Sequence, residues 1–129
     1  MKTERVLPCP ATNVENRAYW DAASDGRLLV KHCLDCGRNH HYPRALCPHC
    51  FSDRTQWRDS SGVGTLYSFS VMRRVAAPYC IAYIALDDGV TMMSNVVDCD
   101  FDALAIGQRV KVAFRPSDGP LAIPVFVPA

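Results

Sequence analysis

Hydrophobic and polar positions fall into three textures along the 129 residues. Residues 1–26 read as a tail followed by a short helix. Pro8 and Pro10 end the tail, Thr12 or Asn13 supplies an N-cap, Glu15, Ala18, Tyr19 and Trp20 fall within the helix, and Gly26 stops it. Tyr19 and Trp20 must dock on something, the chain's own body being the first choice and a partner the second. Residues 27–57 look looser: Arg27 to His32 alternates as a short strand, residues 40–44 give a second, and the rest lacks the apolar content to hold itself without a crosslink. From residue 58 the pattern becomes strands separated by turn signals. Thr65 to Met72 alternates, Cys80 to Leu86 is nearly all apolar, Asp88-Gly89 marks a two-residue hairpin, and Val90 to Val97 pairs back. Asp100 caps a short helical turn near Phe101 to Ala105, closed at Gly107. Arg109 to Arg115 then puts Val110, Val112 and Phe114 on one face. Leu121 to Val127 is the last strand, placed at an edge or bulge by Pro124.

Five strands with a small helix between the third and fourth is the order of an OB-fold barrel. The expected fold is therefore mainly β, with an N-terminal helix, a small cysteine-bearing module and a C-terminal five-stranded barrel. Its boundaries fall at 1–26, 27–57 and 58–129. The strand Ile81 to Leu86 has no polar face, and Val90 to Val97 is nearly as apolar, with Met92 and Met93 on opposite sides. One face fills the barrel; the other needs a cover, supplied by the small module, the N-terminal helix or another subunit.

Composition narrows the class. An apolar share of 49% with 21% charged residues argues for a globular chain and against disorder. A net charge of +1 gives no strong pull toward nucleic acid or anionic membranes. No apolar run approaches the ~20 residues of a membrane span, and residues 1–10 lack the apolar core of a signal peptide, so the cytoplasm is the expected compartment.

Four of the seven cysteines form two Cys-x-x-Cys pairs, Cys33/Cys36 and Cys47/Cys50, ten residues apart. In a reducing compartment this points to metal rather than disulfides. A tetrahedral Zn²⁺ takes four soft ligands at about 2.3 Å, and a Cys-x-x-Cys turn aims two thiolates at one point. Gly37 suits the turn after the first pair, and Pro48 stiffens the second. With four cysteines no coordination position stays open, so the expected zinc is structural; His32 and His49 stand beside the ligands without being needed. Four merely reduced cysteines and a dithiol redox motif are the rival readings, and duplication of the motif argues against the latter. Residues 1–63 carry nine basic and seven acidic side chains, and residues 64–129 five and six. Four thiolates around one Zn²⁺ add two negative charges, leaving the first half about neutral and the second slightly acidic. That weakens a nucleic-acid reading, as does a barrel half with few aromatics expected at its surface.

Other motifs carry less. Asp98, Asp100 and Asp102 resemble the start of a calcium loop, but Ala103 and Arg109 stand where glycine and glutamate are required, so capping is the better account. Cys80 reads as a small buried hydrophobe. Ser60 to Gly64 lacks the Lys-Ser/Thr of a phosphate loop. Arg73 and Arg74 lie in the loop after the first barrel strand, either solvated or facing a phosphate-bearing ligand.

In order and spacing, Tyr19-Trp20, Gly26-Arg27-Leu28, Cys33-x-x-Cys36-Gly37, Tyr42-Pro43-Arg44, Cys47-Pro48-x-Cys50, Trp57, Ser61-Gly62-x-Gly64-Thr65, Leu86-Asp87-Asp88-Gly89, Ile106-Gly107 and Pro124-x-Phe126 resemble one family. It is the small zinc-ribbon plus OB-fold proteins that accompany thiolase-like and other acyl-CoA enzymes, long catalogued as a domain of unknown function. The resemblance covers nearly the whole chain. It implies a rubredoxin-like zinc ribbon and a non-catalytic accessory subunit. Such a subunit joins a thiolase-superfamily or related enzyme in a hetero-oligomer and helps line a coenzyme A passage, while thiolysis, condensation, acyl transfer or retro-aldol cleavage occurs on the partner. Arg44, Arg73 and Arg74 are the candidate contacts to coenzyme A phosphates, because arginine forks suit phosphate. The alternatives are a single-stranded nucleic-acid-binding module and an iron-bearing electron carrier.

Overall fold

The computed structural model describes residues 5–129; residues 1–4 of the expected tail lie outside them. One helix, α1 (Arg17–Ser24), precedes eight strands. Helical turns begin before α1, because Asn13 and Asn16 cap each other. The Asn13 side-chain oxygen accepts from the Asn16 N–H at 3.0 Å, and the Asn16 side chain accepts from the Asn13 N–H at 2.7 Å. Gly26, at φ +79°, ends the element as expected.

The ribbon is an antiparallel sheet in the order β2 (Asn39–His40), β1 (Leu29–Cys33), β3 (Thr55–Asp59). The expected second strand is shorter than residues 40–44, because Pro43 has no N–H to continue a ladder. β3 has no counterpart among the expected elements. It forms because Trp57 registers opposite Lys31, whose Nζ stands 4.4 Å over the indole.

The second half closes as a five-stranded barrel in the order β4 (Val63–Met72), β5 (Tyr79–Leu86), β6 (Thr91–Val96), β8 (Ala122–Pro128), β7 (Arg109–Pro116). All neighbours are antiparallel except β6 and β8, which meet in parallel at Val96 and Phe126. The small helix between the third and fourth barrel strands is a single 3-10 turn, Phe101–Ala103, capped by the Asp100 carboxylate as expected. The Asp88-Gly89 hairpin differs from the expectation. The Leu86 N–H donates to the Val90 C=O at 2.8 Å, so the loop holds three residues, with Gly89 in the left-handed region at φ +89°.

A single core joins the parts. Leu66, Ile84, Val96, Val110 and Phe126 fill the barrel, and Leu28, Leu29, Val30, Tyr19 and Ala22 pack into the same cluster. Cys80 is fully buried. A polar chain runs from ribbon to barrel: His32 Nδ1 donates to Asn39 Oδ1 at 2.6 Å, and Asn39 Nδ2 donates to the Asp88 C=O at 2.8 Å. Ser60 Oγ donates to the Asp88 carboxylate. The β5–β6 turn thus fixes how the ribbon sits. Among the described residues no helix is long and apolar enough to cross a membrane.

Candidate functional site

The two cysteine turns are built alike. Cys33 N–H donates to Arg38 C=O and Gly37 N–H to Cys33 C=O; Cys47 N–H donates to Ser52 C=O and Phe51 N–H to Cys47 C=O. This repeat brings the four sulfurs within 4.8 Å of one another, with Cys33–Cys50 at 3.6 Å and Cys36–Cys47 at 3.7 Å. Four ligands at about 2.3 Å on a tetrahedron stand about 3.8 Å apart, so the cluster fits zinc. The N–H groups of Cys36 and His49 point at the sulfurs of Cys33 and Cys47, at 3.5 and 3.4 Å. The Cys36 N–H pulls the Cys33 thiol down to about 7, against the opposing effect of burial, while at Cys50 the pull of the Ser52 N–H is outweighed by burial and the neighbouring sulfurs, which push that thiol up. The Asp35 carboxylate braces the first turn. It accepts from Ser52 Oγ and from Arg54 at 2.5 Å, which hold it below the ordinary carboxylate value.

The repeat has one mismatch. Gly37 sits at φ +74°, and its counterpart is Phe51 at φ +66°, 78% exposed. A side chain in that region costs about 1–2 kcal/mol. Phe51→Gly is therefore expected to raise stability by roughly 1 kcal/mol after Gly's own unfolded-state cost, without loss of bound zinc. Urea titration with a zinc assay checks this.

The candidate phosphate contacts lie in two different loops. Arg44 lies in the ribbon, its guanidinium 5.3 Å from the Tyr42 ring centroid. Arg73 and Arg74 lie in the β4–β5 loop, where Arg73 pairs with the exposed Asp102 at 2.6 Å. The calcium-like aspartates also disperse: Asp98 pairs with Arg115, Asp100 caps, and Asp102 holds Arg73.

A groove of about 560 Å³ opens where α1, the ribbon and the barrel meet, lined by Tyr19, His41, Ile81, Tyr83, Met93 and Ile123 among others. Tyr19 is 2% exposed and stacks edge-on with Trp20, so these rings dock on the chain itself. Tyr42 Oη receives Asn16 Nδ2 at 2.7 Å and Trp20 Nε1 at 3.3 Å, which clamps the helix to the ribbon. Helix and ribbon cover only part of the outer barrel face. Tyr83 remains 47% exposed and Met93 61%, partners across β5 and β6. Tyr67 is also exposed, on the outer face opposite buried Gly64 and Leu66, and the bulge between Leu66 and Ser68 shifts the phase only beyond it. The barrel thus shows more surface aromatics than expected. Its cations, however, are largely neutralised: Arg73, Arg109 and Arg115 all pair with aspartates.

His41 lines the groove, and His40 lies beside it on β2. His40 Nδ1 donates to the Tyr42 C=O at 3.2 Å, leaving a bare Nε2 lone pair without a partner; His41 Nε2 is also buried and unpartnered. Burial, then the nearby His40 and Arg44, push His41 down to about 4 from an ordinary 6.5. The folded state therefore binds this proton later than the unfolded chain. Its contribution to stability is complete above about pH 6.5 and is lost as pH falls toward 4, roughly 3 kcal/mol in all. His41→Phe is expected to flatten that part of the stability–pH curve, measured as the difference between zinc-loaded variant and parent in urea melts.

A closed four-cysteine ribbon fused to an OB barrel defines the class: a zinc-ribbon plus OB-fold protein. The ChsH2 rubredoxin-like zinc ribbon domain matches residues 20–56, and the ChsH2 C-terminal OB-fold domain matches residues 57–115. The chain is 34% identical over 95 residues to a DUF35 domain-containing scaffold protein of Methanothermobacter thermautotrophicus, covering 68% of this chain and 71% of that one. It belongs to this DUF35 family of ChsH2-type zinc-ribbon and OB-fold proteins. It is also 32% identical to a probable enoyl-CoA hydratase alpha subunit of Thermomonospora curvata, covering 99% of this chain but 42% of that protein's length. Among solved structures, the Ltp2-ChsH2(DUF35) aldolase matches with a TM-score of 0.82 and 31% identity, over 93% of this chain and 98% of that chain.

Proposed function

We propose that this chain is a non-catalytic accessory subunit of an acyl-CoA-processing complex, joined to a thiolase-superfamily or related enzyme subunit in the cytoplasm. The match to the ChsH2(DUF35) chain of an aldolase with Ltp2, over nearly all of both chains, carries the reading. The scaffold naming of DUF35 relatives supports it, as does the acyl-CoA naming of a longer one. The geometry agrees in kind. Cys33, Cys36, Cys47 and Cys50 would hold one structural Zn²⁺ with no position left for substrate. The partly uncovered face around Tyr83 and Met93 suits a protein partner. Arg44, Arg73 and Arg74 are the residues proposed to meet coenzyme A phosphates at a shared interface. Arg44 and Arg74 have no carboxylate partner among the described residues.

The test is recovery of the tagged, zinc-loaded chain from its own cells, with identification of stoichiometric partners. An acyl-CoA enzyme subunit is the expected result. Recovery of single-stranded nucleic acid, or of the chain by itself, contradicts the reading.

A further inference from the structure

The groove runs beside a free strand edge. The Leu86–Val90 bond sets the phase of the β5–β6 ladder. Backbone groups of Met92 and Ser94 therefore face β5, opposite Ile84 and Ala82, and those of Thr91, Met93 and Asn95 face away. On that far side β8 joins only at Val96–Phe126, where the Val97 N–H donates to the Phe126 C=O at 2.9 Å. Beyond this point Pro124 brings no N–H to the gap, and its C=O is taken by Ser94 Oγ at 3.0 Å. Among the described residues, the outward N–H and C=O groups of Thr91 and Met93 have no backbone partner.

We propose that the β6 edge from Thr91 to Met93, ahead of the bridge to β8 at Val96, takes an extended segment of the partner enzyme subunit as an added strand, its alternate side chains seated in the groove. This rests on the accessory-subunit reading. Donors and acceptors alternating at strand spacing are complemented by another polypeptide backbone, whereas a phosphate chain offers acceptors alone. The groove walls call for apolar side chains at alternate positions, since Ile81, Tyr83, Met93 and Ile123 line it. Arg5 stands at one end, Nη1 3.3 Å from Asn95 Oδ1 and its guanidinium 3.9 Å from the Tyr79 ring centroid. No acidic side chain lines the groove among the described residues, so Arg5 meets no carboxylate within it.

Residue-resolved amide exchange, on the free zinc-loaded chain and on the complex recovered from cells, tests this. In the free chain Thr91 and Met93 are expected to exchange at least about tenfold faster than Met92 and Ser94, and in the complex to slow by at least about tenfold. Met93→Pro removes an outward donor without touching the β5 ladder. It is expected to weaken the complex by about tenfold or more, while Met93→Ala, which keeps the backbone, weakens it less. If Met93→Pro does not melt cooperatively, Thr91→Pro makes the same test at the other outward donor. A complex whose Thr91 and Met93 amides still exchange fast overturns the edge proposal and leaves the accessory reading standing; no complex at all overturns both. Slow exchange in the dilute free chain shows that the chain covers its own edge, and slow exchange only at high concentration assigns the edge to a second copy. Either result overturns the proposal.

Discussion

Removing zinc is expected to melt the ribbon and take much of the chain's stability with it. The sheet of β1, β2 and β3 holds few apolar side chains of its own, and the turns at Cys33–Gly37 and Cys47–Phe51 are tied to it through sulfur and a handful of backbone bonds. Cys33 and Cys47 are fully buried, so an empty site leaves thiols crowded where a cation should compensate them. Structural zinc supplies about 10–16 kcal/mol in isolated zinc fingers, and a loss of order 5 kcal/mol here is a conservative share. Leu28, Leu29 and Val30 belong to the barrel's own core cluster, so the damage reaches the barrel. Cys47→Ser is expected to drop bound zinc from about one ion per chain toward none and to remove the cooperative thermal melt. Metal analysis with thermal unfolding checks both. An unchanged melt in excess chelator contradicts the assignment of a structural ion.

Gly64→Ala is the second large effect. Gly64 lies in β4 between Leu86 and Val110. A methyl group there would stand 2.4 Å from the Ala85 C=O oxygen and 2.9 Å from the Ala85 carbonyl carbon and Leu86 Cα. These are backbone atoms clamped in a closed barrel, so no rotamer change relieves the clash. A cost of about 3 kcal/mol or more is expected. Gly26→Ala is the control: its left-handed backbone makes it strained, but nothing lies within 4 Å of the added carbon, and about 1 kcal/mol is expected. Urea midpoints of the two variants should separate clearly. Equal midpoints would mean that β4 and β5 can part at Gly64 without penalty.

The barrel was legible because its information is local. Cys80 to Leu86 and Arg109 to Arg115 announce strands by composition and alternation, whereas Pro124, expected at an edge or bulge, lies in a strand between β6 and β7 of the closed barrel, in unbroken register with β7. The zinc ribbon was legible from four cysteines at fixed spacing. β3 was not, because Thr55, Gln56, Arg58 and Asp59 are polar and only Trp57 marks an inward face; a cation–π partner on β1 makes the strand. Sequence spacing also gave no sign of the His32–Asn39–Asp88 chain or of Tyr42 as the acceptor joining helix to ribbon. These are contacts between residues up to 49 positions apart, each individually unremarkable in sequence. The three-residue loop at Gly89 differs from the expected two by one residue, a distinction that hydrogen-bond phase decides and composition does not.

The proposed role of this chain is to organise acyl-CoA chemistry without performing it. The most direct measurement is acyl-CoA turnover by the zinc-loaded chain, by its co-purified enzyme subunit, and by the two recombined. That role predicts an inert chain, and an enzyme subunit whose stability or turnover rises when this chain is added back. Turnover by this chain alone, or an enzyme subunit indifferent to its presence, would contradict it.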